Sequence, residues 1–182
     1  DKTAVVLGCG MEGLLTVVAL KTLGINKIIV IDKESEKSRA MEFGAWEFIG
    51  SHGKNGVAGV KDKIRAAAGD MADAVFICTD SPMGRNVARR FMKNSGSICE
   101  MGFLCGWRRT PTARYFEDSM PAGGRFYAAR DYENCMNFLA KAAEMKLPLY
   151  KLITHRYKLE EINEAMWTVV REEGLGIAVF NR

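Results

Sequence analysis

Histidine is scarce in this chain: two residues, His52 and His155, occur in a length of 182. Neither stands at a metal-ligand spacing, so a metal site built by these residues is not expected. The five cysteines (Cys9, Cys78, Cys99, Cys105 and Cys135) are widely separated, with no C-x-x-C pair. Cys78 and Cys99 fall inside apolar, strand-like runs, which suits reduced thiols and a cytoplasmic protein. No apolar run approaches the roughly 18 residues of a membrane-spanning helix, and the first residues do not read as a signal peptide, so no membrane partner is expected. Neither sign of charge dominates. The 26 Lys and Arg residues face 22 Asp and Glu, for a net charge of +4, and the basic ones are scattered. The basic stripe of a nucleic-acid-binding surface is therefore missing. Internal repeats and low-complexity tracts are absent too. These exclusions leave a globular protein of one ordinary domain plus a small appendage, large enough to bury a substantial core. Asp1-Lys2 leads straight into an apolar run without an initiator methionine, which suggests a piece of a longer chain.

The stretch from Thr3 to Asp32 carries the chemistry. A short apolar run, Ala4-Val5-Val6-Leu7, opens into Gly8-Cys9-Gly10-Met11-Glu12-Gly13, a helix-length apolar segment follows, and a second run, Ile28-Ile29-Val30-Ile31, ends on Asp32. Strand, glycine turn, helix, strand and acid in that order lift G-x-G-x-x-G above coincidence. Gly8 allows the tight turn off the strand, Gly10 leaves room for a pyrophosphate, and Gly13 lets the helix pack close to the sheet. The helix opens with unpaired N–H groups and a partial positive charge that favour phosphate. Asp32, about twenty residues beyond the glycines, is placed to accept the ribose hydroxyls of an adenosine. A glycine turn that binds nothing is the alternative; the flanking elements favour a nucleotide.

The rest of the chain alternates between strand and helix. Residues 12–23 read as a helix apolar on more than one face, stopped by Gly24, and Lys33 to Phe43 as a second, stopped by Gly44. Glu47-Phe48-Ile49 is a short strand, 57–68 a mostly polar helix and 74–78 a buried strand. Asp80 or Ser81 caps a helix over 83–93, with Pro82 in its first turn, and the strand 97–101 follows Gly96. Such alternation implies parallel βαβ units: an α/β, Rossmann-type doubly wound sheet with a C-terminal helical extension. Its ligand belongs outside the carboxyl ends of the strands, where Gly8–Gly13, Asp32, Thr79 and Met101–Phe103 converge. Residues 104–124 read as a long loop and Arg125–Ala128 as a sixth strand. A helix from Asp131 places Cys135, Phe138, Leu139 and Ala142 on one side. Leu152-Ile153-Thr154 is short and apolar, 159–172 is a helix with Leu159, Ile162, Ala165, Met166 and Val169 as its apolar stripe, and 177–180 is a closing strand. Met136, Phe138, Met166 and Trp167 are expected in the core. The expected division is 1–128, a dinucleotide-binding domain, and 129–182, a C-terminal segment.

Four pieces of the chain resemble one family. They are Val5–Leu14 with its glycines; Asp32 with Lys37 and then Phe43-Gly44-Ala45; Ala72–Phe76 leading to Met101-Gly102-Phe103; and Leu152–His155 with Leu159–Ala165. Together they look like the zinc-type medium-chain dehydrogenase/reductases, which include alcohol, polyol and threonine dehydrogenases. The resemblance spans essentially the whole chain. It also implies an N-terminal domain, carrying the catalytic zinc ligands and most of the substrate pocket, to which nothing here corresponds. This sequence matches the cofactor domain and the segment that returns to the catalytic one. The resemblance implies that the amides of Met11 and Glu12 hold the pyrophosphate, beside Gly8, Gly10 and Gly13, and that Asp32 holds the adenosine ribose with Lys33 and Lys37 nearby. Backbone at Thr79, Met101, Gly102 and Phe103 would line the nicotinamide.

NAD rather than NADP is expected, because the charge of Asp32 repels a 2′-phosphate, although Lys33 and Lys37 soften that repulsion. Glu12 departs from the small apolar residue usual at its position; an outward-turned acid suits a helix N-terminus. The implied whole is an alcohol or polyol dehydrogenase whose zinc and substrate groups lie elsewhere, so the piece alone should be inactive. A stand-alone dinucleotide-sensing module is the alternative. A methyltransferase would need an acid before the first glycine, where Leu7 stands, and a tighter G-x-G-x-G than Gly13 permits. The resemblance also implies a homodimer through the edge strand Arg125–Ala128. His155 reads as a structural residue, Cys105 as inert, Trp107-Arg108-Arg109 as solvated and Asp80 as a helix cap.

Overall fold

A computed structural model of the chain describes residues 2–51, 56–79, 82–101, 129–171 and 174–180. His52, Asp80, Ser81, Gly102, Phe103, Cys105, residues 107–109 and the strand expected over 125–128 lie outside the described residues. The chain divides into two compact units, Asp1–Leu147 and Pro148–Arg182.

Up to Glu100, the described residues of the first unit alternate strand and helix. β1 (Thr3–Leu7), α1 (Met11–Thr22), β2 (Lys27–Asp32), a short 3-10 turn leading into α2 (Lys37–Glu42), β3 (Glu47–Gly50), α3 (Gly56–Ala68), β4 (Ala72–Ile77), α4 (Pro82–Ala88) and β5 (Met92–Glu100) follow one another. The five strands form one parallel sheet in the order β3-β2-β1-β4-β5. The order reverses between β1 and β4, so the two crossovers leave a crevice above the carboxyl end of β1. A sheet covered on both faces needs apolar residues of both parities. Val5, Leu7, Ile29, Ile31, Ile49, Val75 and Ile77 share one cluster with Val60 and Ile64 of α3 and with Phe91. The alternate residues Ala4, Val6, Ile28 and Val30 are equally buried, and α1 brings Leu14, Val17 and Val18 to the sheet. α1 ends as expected at Gly24, where the Gly24 and Ile25 amides donate to Lys21 and Leu20 carbonyls at 3.0 and 2.9 Å, the paired bonds of a Schellman cap.

Two boundaries differ from expectation. The helix expected over 83–93 is α4 followed by a 3-10 turn, Arg89–Phe91. β5 then begins at Met92, not Ser97. Lys93-Asn94-Ser95-Gly96 has the composition of a turn, yet it runs along β4 as a bow between the pairs Ala72–Met92 and Ala74–Ser97. Met92 is buried, and Lys93 Nζ lies 2.9 Å from Asp73 Oδ1, so tertiary contacts at the start of β5 overrule local propensity. Asp73 also accepts the Thr3 amide at 2.7 Å, tying β1, β4 and β5 together at the foot of the sheet. That amide bond, followed by Lys93, holds the Asp73 carboxyl below its usual value of 3.8.

α5 (Ala129–Glu144) belongs to the first unit, whereas the sequence reading placed it in the C-terminal segment. Of its expected apolar side, Ala142 is buried and Phe138 half-buried, while Cys135 and Leu139 are exposed. The second unit consists of a 3-10 turn (Leu149–Leu152), β6 (Ile153–Lys158), α6 (Ile162–Val170) and β7 (Gly176–Phe180). β6 and β7 pair in parallel as a separate two-stranded sheet. The resemblance sets residues 150–182 partly against an absent domain; the expectation that Met136, Met166 and Trp167 lie in the core is corrected. Of the stripe on 159–172, Ala165 alone is buried; Leu159, Ile162, Met166 and Val169 are exposed, and so are Trp167 and, on α5, Met136. Two strands and one short helix present too little surface to cover an apolar stripe.

Candidate dinucleotide site

The site begins where β1 ends. The Gly8 amide donates to the Ile31 carbonyl at 3.0 Å, and the Cys78 amide to the Leu7 carbonyl at 2.8 Å, which bind the start of the glycine turn to β2 and to the end of β4. Gly8 adopts φ +103°, and a side chain there would strike the Cys78 carbonyl. Gly13 is held for a different reason: a Cβ on it would collide with the Gly8 carbonyl. Both glycines are required by the protein's own packing. Gly10 is not. A Cβ built on it meets no atom of the described residues within 4 Å, and its backbone is extended, at φ −73°. The space over Gly10 is open, as it must be if a ligand approaches the backbone there.

Gly10 is also the N-cap of α1 and provides no side-chain cap. The first helical bond runs from the Leu14 amide to the Gly10 carbonyl at 3.0 Å, so the amides of Met11, Glu12 and Gly13 precede the hydrogen-bonded ladder and head the helix dipole. Met11 and Glu12 are exposed at this mouth, and Glu12 is the acid of the first turn. Behind it, Thr16 Oγ1 donates to the Glu12 carbonyl at 2.7 Å and meets Cys78 Sγ at 3.5 Å.

Asp32, at the end of β2, faces the turn. Its Oδ2 accepts the Cys9 amide at 2.6 Å, and its Oδ1 accepts the Lys33 amide at 2.6 Å. Both bonds are short and charge-assisted. The Cys9 side chain is buried beneath, and burial first, then the nearby charges of Asp32 and Glu36, push its thiol up to about 12. Cys78 is likewise pushed up to about 11, chiefly by burial. Neither thiol is a nucleophile near neutral pH.

Above the strand ends lies a cleft of about 360 Å³, lined by Leu7, Gly8, Ile31, Asp32, Lys33, Ser51, Val57, Val60, Thr79, Gly84, Val87 and Phe91. Of the residues named from sequence, Gly8, Asp32, Lys33 and Thr79 meet in this cleft, and Gly10, Met11, Glu12 and Gly13 form the adjacent helix mouth. Lys37 does not line it; its Nζ lies 3.9 Å from Glu34 Oε1. Met101 stands exposed past the end of β5, its amide donating to the Ile77 carbonyl at 2.9 Å. Gly102 and Phe103 lie outside the described residues.

Sequence reasoning missed the apolar walls. Val57 and Val60 come from α3, Val87 from α4 and Phe91 from the turn after it, while Ser51 stands beyond β3 with its amide on the Asp32 carbonyl at 2.7 Å. The signal was present: Val57, Val60 and Ile64 recur at helical spacing in an otherwise polar segment, and such a stripe marks the face turned to the sheet. The open space over Gly10, the N-terminal end of α1 and a carboxylate at the strand end suit a pyrophosphate and ribose, and the apolar walls suit a flat ring. Zinc finds no such fit: among the described residues, no group of three or more His, Cys, Asp or Glu side chains is arranged to hold a metal. Nor, among them, is any helix long and apolar enough to cross a membrane.

Residues 13–141 match the model of a family described as zinc-binding dehydrogenase. Sorbitol dehydrogenase 1 of Saccharomyces cerevisiae is 28% identical over 166 residues, covering 88% of this chain and 46% of its own. Among solved structures, an alcohol dehydrogenase from Thermotoga maritima superposes with a TM-score of 0.85 at 21% identity, covering 100% of this chain and 50% of its own. A short chain alcohol dehydrogenase from E. coli CFT073, complexed with NADH, gives 0.74 at 19% identity, covering 98% and 51%. The structural likenesses establish the Rossmann-type fold. The chain spans about half the length of the curated relatives it matches.

Proposed function

Because the chain belongs to the zinc-binding dehydrogenase family, we propose that it is the dinucleotide-binding part of a zinc-type alcohol or polyol dehydrogenase, holding NAD(H) for hydride transfer. The observation that carries this reading is the convergence of an open helix mouth at Gly10 with the Asp32 carboxylate. The relatives include a sorbitol dehydrogenase, and a neighbour of the same fold is solved with NADH.

Each group has a distinct task. The amides of Met11, Glu12 and Gly13 bind the diphosphate through hydrogen bonds and the helix dipole. Asp32 takes the adenosine ribose, and Val57, Val60, Val87 and Phe91 exclude water from the adenine side of the cleft. Thr79 and Met101, with Gly102 and Phe103, orient the nicotinamide end. Bound NAD supplies the hydride acceptor; the chain's contribution is orientation. Zinc, the substrate pocket and the choice of alcohol belong to the part of the relatives' length that this chain does not span, and the exposed stripe of α6 belongs against that part. The 182 residues alone turn over no alcohol. Two copies associate through the sheet edge beyond β5, and a monomer in light scattering at high concentration would contradict that.

Calorimetric titration tests the central claim. At Asp32, the 2′-phosphate of NADP meets an adverse interaction of about 1–2 kcal/mol, so NAD binds roughly tenfold more tightly. Equal affinities would remove Asp32 as the selector, and no heat with either dinucleotide would end the reading. Gly10→Val separates folding from binding: the open space limits the stability loss to about 1 kcal/mol, that of an apolar N-cap, while NAD affinity falls at least about a hundredfold from steric exclusion of the diphosphate.

A further inference from the structure

Asp32 is engaged before any dinucleotide arrives. One carboxylate oxygen holds the Cys9 amide and the other the Lys33 amide, each at 2.6 Å. Cys9 is the central residue of the turn, between Gly8, which adopts φ +103°, and Gly10, whose outer side has no neighbour among the described residues within 4 Å of a Cβ position. Gly10, as N-cap, brings no side chain of its own to the helix mouth. A turn open on its outer side needs an anchor from within. We infer that Asp32 is a positioning residue for the diphosphate site, fixing the glycine turn through the Cys9 amide so that the mouth of α1 is formed in the ligand-free protein. This rests on the dinucleotide reading and deepens it. An ionised carboxylate offers about four acceptor directions. Two are taken by amides, and two remain for the ribose. The residue that selects the sugar therefore also shapes the phosphate site, which it does not touch.

The consequence runs against simple electrostatics. Removing a negative charge beside a phosphate site should strengthen anion binding; if Asp32 holds the turn, removing it weakens that binding. Asp32→Ala eliminates both amide bonds. Asp32→Asn keeps the shape but has a single acceptor oxygen, so either the Cys9 or the Lys33 amide must face an NH2 group. The experiment is amide hydrogen exchange on the ligand-free chain, followed by titration with inorganic pyrophosphate, which has no ribose. In Asp32→Ala the Cys9 amide exchanges at least about tenfold faster, the core amides of Ile29 and Val75 keep their protection, and pyrophosphate affinity falls several-fold. In Asp32→Asn one of the Cys9 and Lys33 amides accelerates, which decides the matter even if Ile29 and Val75 show that Asp32→Ala has unfolded. Unchanged Cys9 exchange in a folded Asp32→Ala, unchanged exchange of both amides in Asp32→Asn, or a rise in pyrophosphate affinity overturns the inference. If the wild-type chain binds neither pyrophosphate nor NAD, the dinucleotide reading fails, while the exchange rates still judge the role of Asp32 in the turn.

Discussion

α1 and α6 are both strongly apolar, and the chain treats them oppositely. α1 buries Leu14, Val17, Val18 and Leu20, whereas α6 leaves Ile162, Met166, Trp167, Val169 and Val170 exposed and buries Ala165 and Thr168. The difference lies in what each has to pack on. α1 lies on a five-stranded sheet whose strands β1 and β2 are apolar on both faces; α6 accompanies two short strands. Thr168 shows how little interior the second unit has: it is buried, with its hydroxyl 2.8 Å from Tyr157 Oη and 3.1 Å from the Glu164 carbonyl. Apolar spacing records which face a helix was selected to bury, and burial needs a partner of sufficient area.

This contrast can be broken by mutation. Ile64→Ala, in the middle of the first unit's core and fully buried, should cost about 2–5 kcal/mol in denaturant unfolding, the usual cost of such a cavity. A loss below 1 kcal/mol would mean that the sheet is packed more loosely than its burial implies. Asp73→Asn should cost less, about 1 kcal/mol near neutral pH, because it weakens one amide bond and a partly exposed ion pair. Its pH dependence sharpens the test. A carboxyl held below 3.8 in the folded protein adds stability above that value and loses it as the pH falls through the folded one. The difference between wild type and Asp73→Asn should therefore persist at pH 5 and close below 3.8; a constant gap would remove Asp73 from the account. Trp167→Ser on α6 should shift stability by no more than about 0.5 kcal/mol. A cost like that of Ile64→Ala would show that α6 is covered after all, and would erase the contrast.

The first unit was largely legible because its signals were redundant. β1 and β2 are unbroken apolar runs, the glycines fall at the turn, and Asp32 closes the second strand; each local choice agrees with the fold. The cleft was half legible. Residues with a known reason to meet phosphate or ribose stood out, while Val57, Val60, Val87 and Phe91 look like ordinary core residues until the crossovers bring α3 and α4 together over the strand ends. The start of β5 was hidden because Lys93-Asn94-Ser95-Gly96 has the residues of a turn and is held in the sheet by Asp73, twenty positions away by sequence from Lys93. The exposure of α6 follows from the resemblance, which sets residues 150–182 partly against an absent domain, and not from the spacing of Ile162, Ala165, Met166 and Val169, which is the same whether or not something lies against it.

The cysteines add a practical consequence. With thiols pushed up to about 12 and about 11, Cys9 and Cys78 stay protonated and enclosed, so maleimides and mild peroxide should pass them by. Cys135, exposed on α5, is open to a dye or spin label. A probe there would sit on α5, which packs on α1, and would leave the enclosed thiols of Cys9 and Cys78 unmodified.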